Sequence, residues 1–243
     1  MRKILLVLAM LALAAVTSTG TITYMAIGFF LGFSVGAGIV IARHVGAGDR
    51  ENTSRAVNTA VAMGLFFSVV LTAAGVLLSP AVLRLMGTPS DVFDEAALYL
   101  RIYFAGSAGL ILYNTFVGIL QASGDSTHPL YYLIASSLLN IVLDVLLIAV
   151  FGMGVDGAAL ATVIGQGSSF ILSFIYLYRN RQRFAFDFKL KSFRISRYPF
   201  RLMIRLGIPI VIQSSAGSIS LLFVGHYINP YGVVASAVTG VGN

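Results

Sequence analysis

Six apolar runs, at residues 22–42, 57–78, 102–120, 130–151, 158–178 and 206–228, constrain this chain more than any motif in it. A bilayer core about 30 Å thick is crossed by about 20 helical residues, and each run is long enough for that. A transmembrane strand would be about 10 residues of strict alternation. These runs are longer and do not alternate, so helices are the only way to satisfy their backbone in hydrocarbon. The fold class is therefore all-α, a polytopic membrane helix bundle. Composition agrees: 58% of the 243 residues are hydrophobic and only 10% charged, too few charges to cover a water-facing surface. Cysteine is absent, which removes disulfides, thiolate metal sites and cysteine nucleophiles together.

Orientation follows from the basic residues. With the N-terminus cytoplasmic, the inside segments hold Arg2, Lys3, Arg43, Arg50, Arg55 and the nine lysines and arginines from Arg179 to Arg205, leaving only Arg84 and Arg101 outside. This asymmetry predicts a multi-pass protein of the cell (inner) membrane with an external C-terminus, and with a cytoplasmic N-terminus if residues 4–16 span. The net charge of +7 is then a topological signal and no nucleic-acid partner is called for. Residues 179–205 interleave arginines and lysines with Phe184, Phe186, Phe188, Phe193, Tyr198 and Phe200. Between two membrane helices such a segment is expected to lie on the anionic cytoplasmic leaflet as an interfacial linker. Residues 4–16 read either as a signal-like leader or as a short first helix, and both readings give the same downstream topology.

Asp144 is the only carboxylate well inside a span. Asn140 and Asp144 are four residues apart and share a helical face, which Ser137 extends. An ionisable group in hydrocarbon costs roughly 2.5–3.5 kcal/mol even on the lenient insertion scale, so Asp144 is expected to face a cavity or a partner. Two roles are open to it: taking up a proton or a sodium ion with help from a neighbouring amide oxygen, or bonding a neighbouring helix as structural glue. Thr162, Gln166, Ser169 and Ser173 form a second polar stripe, Tyr103, Ser107, Asn114 and Gln121 a third, and Gln213, Gly217 and Ser220 a fourth. Gly28, Gly32 and Gly36 form a small-residue ridge that predicts close helix packing. His44, His128 and His226 lie apart with no metal pattern, and one intramembrane acid does not supply an acid–base pair, so an enzyme is not expected.

Several stretches, in order, resemble the multidrug and toxic compound extrusion (MATE) transporters: Gly28 through Arg43 with the Gly46-Ala47-Gly48-Asp49 loop, Gln121 through Pro129, Asn140 through Asp144, Gly154 through Thr162, and Leu206-Gly207-Ile208-Pro209. The resemblance implies two six-helix lobes around a central cleft, alternating access, and export of cationic or amphiphilic drugs in exchange for sodium ions or protons. No cofactor is implied beyond a possible sodium ion. It makes residues 1–178 an incomplete N-terminal lobe, 179–205 the cytoplasmic linker, and 206–243 the first helix of the C-terminal lobe with its following loop. Asn140 and Asp144 fall on the family's cation-site asparagine and aspartate, Thr162 on a threonine of that cluster, and Asn114 on a nearby asparagine. Gln166, Gln213 and Tyr103 become candidates for the substrate cleft.

The pattern also departs from the family. Residues 4–16 carry no counterpart of the acidic first helix, and helices eight to twelve have none here. Residues 11–20 resemble residues 232–242, as though one repeat were cut off register. The expectation is either a piece of a longer gene or a chain that meets a complementary lobe. The alternatives are a related flippase of lipid-linked saccharides, disfavoured because no Lys or Arg lies deep in residues 102–178, and a non-transporting membrane scaffold.

Overall fold

The computed structural model describes residues 28, 30–85, 87–88, 90–186 and 195–228. The resembling segments 11–20 and 232–242, and the apolar run 4–16, lie outside the described residues. Among the described residues there are six helices: α1 (Phe30–Gly46), α2 (Arg50–Leu85), α3 (Ser90–Ala122), α4 (Thr127–Asp144), α5 (Val155–Arg179) and α6 (Arg197–Ile228). A π-helical turn, Val145–Val150, continues α4 without a break. The described residues contain no strand.

Helices α2, α3, α5 and α6 reach beyond the apolar stretches that seed them. The 36 residues of α2 rise about 54 Å, well beyond a hydrocarbon core of about 30 Å, so its polar ends stand clear of it. Short turns reverse the chain between successive helices from α1 to α5. The first uses Gly48 at φ 66, after which Asp49 caps α2: its carboxylate accepts the Asn52 N–H at 3.0 Å and the Asn52 side-chain amide at 2.7 Å. These bonds from Asn52 hold the Asp49 carboxyl below its ordinary pKa. The α3–α4 turn uses Gly124 at φ 84, a left-handed conformation that favours glycine.

α2 packs on α3, α3 on α5 and α5 on α4, while α6 lies against α1 and α2. Two buried clusters sit at opposite ends. One joins Val40, Val57, Ile119, Leu177 and Met203, from the end that carries the arginines of residues 43–55 and 179–183. The other joins Leu83, Val92, Leu100, Phe104 and Val155. Between them the outer surface is apolar, with Leu77 76% and Val69 69% exposed, which suits contact with lipid chains and not with water. Within α4 and its π-helical extension only Pro129 and Ser136 are buried, so this is the least enclosed of helices α2 to α5.

Two features differ from the sequence reading of residues 179–205. Helix α6 starts at Arg197, inside the segment read as linker. Phe184 and Phe186 do not lie on a membrane surface: they are 1% and 3% exposed and belong to the buried cluster with Val40 and Met203. A turn through Ala185, at φ 52, tucks both rings inward.

Candidate functional site

The polar positions converge on α5. Thr162, Gln166, Ser169 and Ser173 follow helical spacing, and Ser169 and Ser173 are fully enclosed. Glycines bring neighbours against this helix. A Cβ on Gly165 would meet Asn140 Cβ at 3.1 Å and the Ser136 carbonyl at 3.3 Å, so α4 rests almost on the α5 backbone. A Cβ on Gly109 would meet Gly167 Cα at 3.3 Å, which places α3 equally close. Across that second contact Gln166 Nε2 donates to the Tyr103 hydroxyl at 3.3 Å, and Tyr103 is buried with its ring edge-on to Phe104.

Two buried amide atoms on either side of Gly165, Asn140 Nδ2 and Gln166 Oε1, have no hydrogen-bond partner. Leaving such an atom bare costs about 1–3 kcal/mol; the Asn140 N–H group is a donor open to an incoming acceptor oxygen, and the Gln166 oxygen is an acceptor open to a donor or a cation. Asp144 follows Asn140 by one turn, is half-buried, and among the described residues receives no hydrogen bond and no ion pair. The π-helical turn begins immediately after it, a local widening often found at functional positions. The Thr162 hydroxyl donates to the Ala158 carbonyl at 2.9 Å, which leaves its oxygen lone pairs free to accept. Carboxylate, amide and hydroxyl oxygens are the donors a hard cation takes.

Other candidates lie elsewhere. Asn114 sits where α3 meets α1: its side chain donates to the Leu110 carbonyl at 2.8 Å, and its own carbonyl accepts from the Ser34 hydroxyl at 2.5 Å. Among the described residues no hydrogen bond joins it to Asn140, Asp144 or Thr162. Gln213 is exposed on α6. Gly28 is helical and buried, and Gly32 and Gly36 touch α6, where a Cβ on Gly36 would meet the Met203 carbonyl at 2.8 Å and Gly207 N at 2.9 Å. A groove of about 370 Å³ between α2 and α3, lined by Ser68, Thr72 and Ala105 among others, touches none of these positions.

A further cluster was missed by the sequence reading, which treated His128 as isolated. Asp125, whose side chain is 5% exposed, accepts from His128 Nδ1 at 2.8 and 3.0 Å, from the His128 backbone N–H at 3.3 Å and from the Tyr176 hydroxyl at 2.7 Å. The His128 and Tyr176 rings stack with centroids 4.1 Å apart, and Arg183 Nη1 stands 4.0 Å from the carboxylate. Burial pushes the Asp125 carboxyl up, but the bonds from Tyr176 and His128 and the His128 charge outweigh it and hold it below its ordinary value. Asp and His three residues apart across a helix start was the visible half of this signal. Tyr176, far along the chain, was not.

Comparison with known proteins decides the family. The MatE family model matches residues 4–146. The chain belongs to the MatE family. It is 34% identical over 237 residues to "Probable multidrug resistance protein YoeA" of Bacillus subtilis (strain 168), covering 96% of this chain and 51% of that protein. It is 32% identical over 225 residues to "Probable multidrug resistance protein YpnP" of the same organism, covering 91% and 49%. A solved structure, described as the inward-facing conformation of a multidrug resistance MATE family transporter of the MOP superfamily, superposes with a TM-score of 0.89 at 28% identity, over 95% of this chain and 52% of its own. The chain thus spans about half the length of the curated relatives it matches. Membership in the MatE family makes it a multi-pass membrane protein of a transporter family and not an enzyme.

Proposed function

We propose that this chain contributes the N-terminal lobe, and the first helix of the second lobe, to a cation-coupled antiporter that exports cationic or amphiphilic small molecules by alternating access. The observation that carries the reading is the face of α4 at Gly165. There the Asn140 amide and the unpaired Asp144 carboxylate stand one turn apart on a scarcely enclosed helix that rests on the α5 backbone. Asp144 binds sodium or a proton, Asn140 and Thr162 complete the oxygen donors, and Asn114 joins when its helix approaches. Gln166 and Tyr103 on the α3–α5 contact, with Gln213 on α6, line the substrate cleft. The drug-resistance names of the relatives support the cargo class. The arginine-rich end faces the cytoplasm of a cell membrane.

Antiport requires that cation and cargo weaken each other's binding by the same factor. The experiment is equilibrium binding of a fluorescent cationic dye to the chain in nanodiscs across a sodium titration and a pH titration. Dye affinity falls as one of the two cations rises, and Asp144→Asn removes that dependence while dye binding persists. Dye affinity indifferent to both cations refutes the proposal.

A further inference from the structure

We infer that Asp125 is a positioning residue. Together with His128 and Tyr176 it clasps α4 to α5, fixing the tilt of α4 and so the placing of Asn140 and Asp144. The inference rests on the cation-site reading above for its consequence, though not for its geometry.

α4 needs such an anchor because little else holds it. Its enclosed residues are few, and its main neighbour is α5. Three points fix it there. At the far end a Cβ on Gly157 would meet Leu147 Cβ at 3.4 Å, and at the middle Gly165 abuts Asn140. At the arginine-rich end the Asp125 cluster makes the join. Ser126, the cap position of α4, makes no side-chain cap bond. Asp125 supplies that bond instead, through the His128 N–H, and its other oxygen takes the Tyr176 hydroxyl of α5. One carboxylate therefore both caps α4 and ties it to α5. The Tyr113 hydroxyl of α3 adds a bond to the Pro129 carbonyl at 3.0 Å.

The contact at Gly165 works as a fulcrum. About 18 Å of helix separates His128 from Asn140 and about 6 Å separates Asn140 from Asp144. A swing of about 3 Å at the clasp then moves Asp144 by about 1 Å, twice the roughly 0.5 Å tolerance of a working site. Tyr176→Phe removes the single bond that crosses from α5, leaving the helix cap and the ring stack in place.

The test uses the whole chain in nanodiscs, where the absence of cysteine allows a clean Leu130→Cys/Ile175→Cys pair for spin labels; both positions are exposed. Distance distributions are measured with and without Tyr176→Phe and Asp125→Asn, alongside sodium and proton titrations of the unfolding temperature. The expected result is a broadened, longer distance in both variants. With it comes a cation midpoint weakened about tenfold, while the cation-free unfolding temperature of Tyr176→Phe stays near that of the parent. Unchanged distances in both variants overturn the clasp, and changed distances with an unchanged cation midpoint overturn its positioning role. A parent chain that responds to neither cation refutes the cation-site reading instead, and the label distances then decide the clasp alone.

Discussion

Replacing Gly36 by alanine tests a backbone-on-backbone contact between α1 and α6. The added Cβ would lie 2.8 Å from the Met203 carbonyl oxygen, 2.9 Å from Gly207 N and 3.0 Å from Gly207 Cα. All three atoms are backbone, so no side chain can rotate away. Ordinary contact between carbon atoms is about 3.5–4.0 Å, and restoring it requires the two helix axes to separate by about 0.7–1 Å. Gly32 and Val211, one turn along the same seam, would lose contact with them. Overpacking of this kind costs about 1–3 kcal/mol, and a backbone-on-backbone clash belongs at the upper end of that range. Gly167 on α5 is the matched control, because a Cβ there meets nothing within 4 Å. Gly167→Ala should gain up to about 1 kcal/mol from helix propensity alone. The assay is equilibrium unfolding of each purified variant in mild detergent, followed by circular dichroism. Gly36→Ala should be destabilised and Gly167→Ala unchanged or stabilised. Equal midpoints for the two variants would refute the packing argument.

Gly165→Ala should press α4 away from α5, since the new Cβ sits 3.1 Å from Asn140 Cβ. A cation titration of unfolding should show a weaker midpoint, by roughly 3–10-fold for a displacement of a few tenths of an ångström. Phe184→Ala empties a fully buried ring site and should cost about 3–5 kcal/mol in the same unfolding assay, a loss that a membrane-surface ring would not give. Asp125 sets an acid limit. Its folded-state pKa lies below the ordinary value of 3.8, so its contribution is complete above that value and is lost as pH falls through the folded pKa. Stability measured from pH 5 to about 3 should therefore fall less steeply in Asp125→Asn than in the parent chain.

The sequence revealed the helices because their signal is a length requirement imposed by lipid: four of the apolar runs lie inside α2, α3, α5 and α6, and residues 130–151 run through α4 and its π-helical turn to one residue beyond. The placing of Asn140 and Asp144 on one face was likewise local, a matter of helical spacing. What spacing does not carry is the partner across a contact. Gly165 against Asn140, Gln166 with Tyr103, and Tyr176 on Asp125 each join distant segments, and nothing in either segment alone names the other. Phe184 and Phe186 show the converse difficulty. Aromatics among arginines have the composition of a membrane-surface segment, yet one left-handed turn at Ala185 sends both rings into the core.

The central claim is that the α4 face carrying Asp144 binds a coupling cation. Its most direct test is the unfolding temperature of the chain in nanodiscs as sodium is raised at fixed pH and as pH is lowered without sodium. A site occupied at 100 times its dissociation constant stabilises the fold by about 2.7 kcal/mol. The parent chain should show a saturable rise with one of the two cations, absent in Asp144→Asn. A parent chain indifferent to both, or an Asp144→Asn variant that keeps the full response, would contradict the claim.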